Sequence, residues 1–167
     1  MISDAHLTAL AEQLGQLLKQ RQLRLSLAES CTGGLCAEII TRVAGSSEWL
    51  DCGFITYSNQ SKQKLLNVAS STLTTFGAVS EETAREMAIG ALSASSSNLS
   101  ASVTGIAGPA GGTAAKPVGT VCFAWAALNS LPISTTQHFT GNRLQIRQQS
   151  AKTLIEGLIT LTLSLDL

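Results

Sequence analysis

The chain is 167 residues long, 44% hydrophobic and only 13% charged, with 11 Lys plus Arg against 11 Asp plus Glu. That composition excludes intrinsic disorder and fits a single domain over residues 1–167 that buries a core without staples. A formal net charge of zero removes the electrostatic reason to expect nucleic acid or an anionic membrane as partner.

Leu7, Leu10, Leu14, Leu17 and Leu18 repeat at helical spacing, which predicts an amphipathic helix over about residues 5–20. Asp4 and Glu12 stand where the apolar run of an export signal would lie, so a cytoplasmic chain is expected. A strand over about 23–28 follows, and the turn AESCTGG (28–34) opens a second helix reaching about residue 43. CGFITY, aromatic and β-branched, predicts the second strand. Ser58 or Asn59 is placed to cap a short helix through QSKQKLLN. SSTLTTFG reads as a helical turn ending at Gly77. Ser80 caps the next helix, whose first turn holds Glu81 and Glu82 where the dipole favours them.

LSASVTG predicts a strand leading into the loop IAGPAGGTAAKPVG. TVCFAWAAL is apolar throughout and reads as a central strand, with PISTTQHFTG its antiparallel neighbour across NSLP. Asn142 caps a long C-terminal helix. Its apolar tail, interrupted by Glu156 and several Thr, is too short to span a bilayer and reads as a buried or intersubunit helix. With the low charge content, this predicts a homo-oligomer without membrane contact. Helices and strands alternate before a hairpin appears. The expected fold is α/β, a three-layer α/β/α sandwich with a mixed sheet of about five strands. Cys31, Cys36, Cys52 and Cys122 form no CxxC pair, and His6 lies far from His138. Zinc spacing is absent, so reduced, buried thiols and no metal site are expected.

In open α/β sheets the ligand crevice lies outside the carboxyl ends of the strands. AESCTGG follows the first strand, TYSNQSK the second and TGIAGPAGG the third, which predicts one site built from three loops. Gly33 and Gly34 permit close backbone approach or positive φ. The helix after them points free N–H groups at the turn, suited to a phosphate or a developing oxyanion. Ser30 therefore reads as a nucleophile or as a helix cap. No GK[ST] follows and G-x-S-x-G is absent, which leaves a P-loop and a hydrolase elbow unsupported. A serine needs a base, and the candidates are His138 and Lys62, the latter once burial or nearby cations lower its pKa. Tyr57 is either core or a hydroxyl contributor. Lys116 in KPVGT is a phosphate ligand or a surface charge. Arg143 and Arg147 lie one turn apart on the last helix, suited to a phosphate or to acidic side chains.

AESCTGG, G-x-x-x-YSNQSK, GAVSEETAREMA, TGIAGPAGG, KPVGTV and FTGNRLQIR together resemble the CinA C-terminal domain family, from the first helix to the last. The match is close to its stand-alone members, the nicotinamide mononucleotide deamidases of the PncC type. The resemblance implies an amidohydrolase acting on a small pyridine nucleotide by a serine–lysine mechanism, with no metal or other cofactor. It implies Ser30 as nucleophile, Lys62 as general base with Tyr57 supporting it, and Arg143 near the ligand. The loop from Gly105 through Gly108 and Gly111 to Gly112 would line the pocket. Backbone N–H groups near Thr32, Gly33 and Gly34 would hold the oxyanion, with Cys31 the adjacent structural thiol. Ala110 stands where the family loop is expected to read GPDGG or GPGGG, and the following TAAK is less acidic than in some relatives, departures that bear on substrate preference. A non-catalytic nucleotide-binding or regulatory module is the competing reading, and it would need neither Ser30 nor Lys62. A different phosphorylated amide or ester substrate is another.

Overall fold

The computed structural model describes residues 2–165. Five strands form one sheet: β1 (Leu25–Glu29), β2 (Leu50–Ile55), β3 (Leu99–Gly105), β4 (Thr120–Ala127) and β5 (Ile133–His138). Their spatial order is β2-β1-β3-β4-β5. β1 runs parallel to β2 and β3, whereas β4 is antiparallel to both β3 and β5. The helices are α1 (Asp4–Gln20), α2 (Leu35–Thr41), α3 (Asn59–Leu66), α4 (Ser70–Phe76), α5 (Glu81–Ser93) and α6 (Arg143–Ser164). α1, α2 and α6 pack together on one side of the sheet, and α5 covers the other with α3 and α4 against it. This is the expected α/β/α sandwich.

Alternation along β1 assigns its side chains to the two sides. Leu25 and Leu27 enter the larger core with Leu14, Phe123 and Leu154. Ala28 enters a smaller cluster with Leu66, Val68 and Met87. All eight residues of β4 are buried, in line with the central strand read from TVCFAWAAL. α6 is a core helix of this chain: Ile146, Leu154, Ile155 and Leu158 are buried in the larger cluster. Trp125 Nε1 donates to the Leu154 carbonyl at 3.0 Å, joining α6 to β4. Among the described residues no helix is long and apolar enough to cross a membrane.

The caps follow the sequence. Ser58 and Ser61 form a reciprocal capping box at α3, Asn142 and Gln145 do the same at α6, and Ser80 accepts from the Thr83 amide at α5. β1 starts later than expected because Leu23 belongs to the exit from α1. Gln22 adopts φ 55°, and the Leu23 amide closes on the Leu18 carbonyl, satisfying a helix-end acceptor.

The topology brings the functional loops together. The parallel strands β1, β2 and β3 end at the same edge of the sheet. β4 runs away from that edge and β5 returns to it, delivering the start of α6 there. α3 reaches its place through a close approach to α5, where a Cβ on Gly90 would collide with the Leu66 carbonyl. Gly90→Ala is expected to destabilise the fold by about 1–3 kcal/mol in urea unfolding.

Candidate active site

Ser30 lies one residue beyond β1, and continued alternation turns it to the side of α3. The Ser58 cap fixes the start of α3 and directs Lys62 back toward the end of the sheet. Lys62 Nζ donates to Ser30 Oγ at 3.0 Å and to the Thr56 carbonyl at 2.8 Å. Both side chains are buried, with Lys62 only 1% exposed. Burial lowers the Lys62 pKa from the ordinary lysine value of 10.5, favouring the neutral amine. Lys64, on the same helix, is exposed.

Cys31 has a different environment. Burial pushes its thiol up to about 12, and the nearby Glu29 carboxylate adds to the rise. The thiolate, the reactive form, is therefore suppressed at neutral pH. No imidazole is at hand: His138 sits on β5, where its Nδ1 lies 3.3 Å from Thr120 Oγ1. Cys36 and Cys122 are buried, but Cys52, expected buried, is only half-buried on the edge strand β2.

Ser30, Cys31 and Lys62 line a cavity of about 280 Å³ with Tyr57 and Arg143. Gly105, Gly108, Ala110 and Gly111 contribute the glycine-rich wall. Gly108 takes φ 76° with Val118 against it, so the loop has no room for a side chain there. Gly112 stands outside the lining and backs onto the Val118 amide. Asn59 and Thr104, from loops the sequence assigns to the site, and Ala78 and Val79, which it does not, complete the wall with Ile106 and Ala107.

The cationic candidates separate. Arg143 donates to the Gly108 carbonyl at 2.8 Å and to the Tyr57 hydroxyl at 2.9 Å, tying three loops at the cavity. The Tyr57 hydroxyl thus accepts from Arg143, while the Lys62 amine bonds Ser30 and the Thr56 carbonyl. Arg147 lies outside the lining and donates to the Thr32 carbonyl through Nη2 at 2.6 Å and Nε at 3.2 Å. The two arginines therefore do not converge on one phosphate site. Lys116 ties the loop to α4 by donating to the Phe76 carbonyl at 2.7 Å.

The sequence reading also missed Glu29. It is 1% exposed and accepts from Thr32 Oγ1 at 2.6 Å, Gly34 N–H at 3.0 Å, Cys36 N–H at 3.1 Å and Ala37 N–H at 2.8 Å. The signal was an acidic residue ending an apolar strand just before a helix start, where a carboxylate suits the free amides. This corrects the expectation for Gly33 and Gly34, whose amides are not open to an oxyanion. Gly34 donates to Glu29, and Gly33 donates to the Ser30 carbonyl at 3.0 Å, closing a turn. The amides at the centre of that turn, on Cys31 and Thr32, donate to no other described residue. Cys31 is in the cavity wall; Thr32, Gly33 and Gly34 are not.

A serine hydroxyl at hydrogen-bond distance from a desolvated amine, beside a backbone donor bonded to no other described residue, is equipped for acyl transfer. Among the described residues no group of three or more His, Cys, Asp or Glu side chains is placed to hold a metal ion.

Comparison with known proteins gives the same frame. The sequence profile of the CinA C-terminal domain matches residues 7–162. The chain is 48% identical over 150 residues to a nicotinamide-nucleotide amidohydrolase PncC of Enterobacter agglomerans, covering 90% of this chain and 92% of the relative. It is 46% identical over 157 residues to the protein of that name from Escherichia coli, covering 94% and 95%. The crystal structure of the competence/damage inducible protein CihA from Agrobacterium tumefaciens superposes with a TM-score of 0.92 at 44% identity, covering 96% of this chain and 97% of that one.

The buried lysine makes a prediction for stability. Between the lowered folded pKa of Lys62 and the ordinary value of 10.5, the unfolded chain binds more protons than the folded one, so wild-type stability rises with pH there. Lys62→Met lacks this contribution. Its stability relative to wild type is expected to be highest on the acid side and to fall as pH rises, measured by urea unfolding from neutral pH to about pH 10.

Proposed function

This chain belongs to the CinA C-terminal domain family, and we propose that it is a nicotinamide-nucleotide amidohydrolase in which Ser30 and Lys62 convert nicotinamide mononucleotide and water to nicotinate mononucleotide and ammonia. The observation that carries this reading is the 3.0 Å contact between Lys62 Nζ and Ser30 Oγ inside the cavity.

Ser30 Oγ attacks the carboxamide carbon while neutral Lys62 takes the hydroxyl proton. The oxyanion turns to the Cys31 amide, with the Thr32 amide beside it in the chain. Collapse of the tetrahedral intermediate breaks the C–N bond, and the Lys62 ammonium returns the proton to the departing ammonia. Water then adds to the acyl-enzyme with Lys62 again the base, releasing the carboxylate and restoring Ser30. The lowered pKa suits both steps, since a base works best when its pKa approaches the operating pH. No carboxylate lines the cavity, whereas the Arg143 guanidinium does, which favours an anionic substrate. Arg143 is assigned to the mononucleotide phosphate. The volume, about 280 Å³, is suited to one small molecule. The same reading takes a cytoplasmic homo-oligomer with no metal or other cofactor.

Ammonia release from nicotinamide mononucleotide by chelator-treated protein tests the proposal. Wild type is expected to turn over, Ser30→Ala to lose about 10⁴-fold or more in kcat, and Cys31→Ala to remain within a few-fold. An active Ser30→Ala, or a dead but folded Cys31→Ala, would reassign the nucleophile. The kcat/KM profile is expected to rise with pH through the lowered pKa of Lys62, on the acid side of 10.5.

A further inference from the structure

Glu29 is the one buried carboxylate beside the nucleophile turn, and the acyl-transfer steps do not use it. A carboxylate near a developing oxyanion opposes the chemistry electrostatically, and burying one is costly unless donors surround it. Here four donors do so, three on Oε2 and the Ala37 amide on Oε1. The shortest contact, 2.6 Å, comes from Thr32 Oγ1. From α6, Arg147 grips the carbonyl of that same Thr32. Thr32 is thereby held at its side chain and at its carbonyl. Gly33 closes the turn onto the Ser30 carbonyl, and Ser30 N–H is fixed to the Val103 carbonyl at 3.0 Å. The amides of Cys31 and Thr32, bonded to no other described residue, sit at the centre of this frame.

We infer that Glu29 is a positioning residue for the Ser30 reaction: through Thr32 and the first amides of α2 it fixes the turn that presents Ser30 and the Cys31 amide to the substrate. This rests on the serine-amidohydrolase reading above. Glu29 touches neither the substrate nor the reacting atoms. Its negative charge is absorbed by the donors behind the turn, and Arg147 supplies a cation on the opposite side of Thr32. An amine-activated serine is sensitive to such placement, because small displacements of reacting groups lose large factors in rate.

Glu29→Gln is the direct test. The amide keeps one acceptor oxygen but sets an NH₂ group against backbone N–H donors. Two readouts are taken: steady-state ammonia release, and the rate at which a fluorophosphonate probe labels Ser30, located by peptide mass. The folded variant is expected to lose about 10- to 100-fold in both kcat and labelling rate, with KM within twofold of wild type. Wild-type kcat and labelling rate, with only a lowered Tm, would make Glu29 a purely structural residue and overturn the proposal. Should Glu29→Gln fail to fold, Thr32→Val removes only the hydroxyl that Glu29 holds; a several-fold fall in kcat and labelling at unchanged KM supports the proposal, and unchanged rates overturn it. The labelling readout separates the two hypotheses. A wild type that labels at Ser30 without releasing ammonia rejects the substrate and leaves the positioning test in force. A wild type that does neither overturns both.

Discussion

Two adjacent residues at the end of β1 face opposite sides of the sheet, and the site depends on that alternation. Glu29 continues the side of Leu25 and Leu27, and it meets the start of α2 there. Ser30 continues the side of Ala28 and meets Lys62 of α3. A shift of one residue would exchange the two side chains, leaving the serine under a helix end and the carboxylate against the lysine. Burial of every residue of β1 prevents that shift. Parallel pairing with β2 and β3 on either side then fixes the height of Ser30 relative to the loops that follow those strands. Register and chemistry are set by the same contacts.

The lysine illustrates the cost of this arrangement. A side chain of high charge affinity is held almost without solvent contact, its amine satisfied by one carbonyl and one hydroxyl. Desolvation favours the neutral form, which is the form a base requires. The strain of burial and the reactivity therefore have one origin. A better-solvated Lys62 would be cheaper for the fold and a poorer base at neutral pH. Cys31 shows the converse. The same burial that helps a cationic acid lose its proton hinders a thiol from doing so. Environment, more than intrinsic nucleophilicity, distinguishes the two neighbours in AESCTGG.

Much of this was legible in the sequence because local chemistry and tertiary structure agree. Ser58, Ser80 and Asn142 are caps in both, and the strand patterns place three loops at one edge. Ser30, Lys62, Arg143 and most of the glycine-rich wall come together as their motifs suggested. What could not be read was the destination of long side chains. Arg143 and Arg147 are one helical turn apart, yet one reaches Gly108 and Tyr57 while the other reaches Thr32. Helical spacing specifies a shared face but not the end point of a flexible guanidinium. The resemblance pairs Tyr57 with the lysine, whereas its hydroxyl accepts from Arg143. The wall residues Ala78 and Val79 carry no chemical signature, and only the packing of α5 against the sheet reveals them.

Glu29 was missed for a more instructive reason. A helix start preceded by glycines reads as an open anion site only while its amides are free. The protein supplies its own anion from the preceding strand, and that occupation changes what the turn can do. An amide already bonded to a carboxylate cannot also stabilise an oxyanion at full strength. The donors available to chemistry therefore move from the helix start to the β-turn before it, where Cys31 and Thr32 have no competing acceptor in the rest of the described chain. Gly33 and Gly34 become the means of turning the chain, at φ 59° and 97°, so that the helix amides face Glu29 while the turn amides remain free. Helix-end electrostatics here hold the catalytic turn in place, and a single backbone turn is left to meet the charge that develops on the substrate.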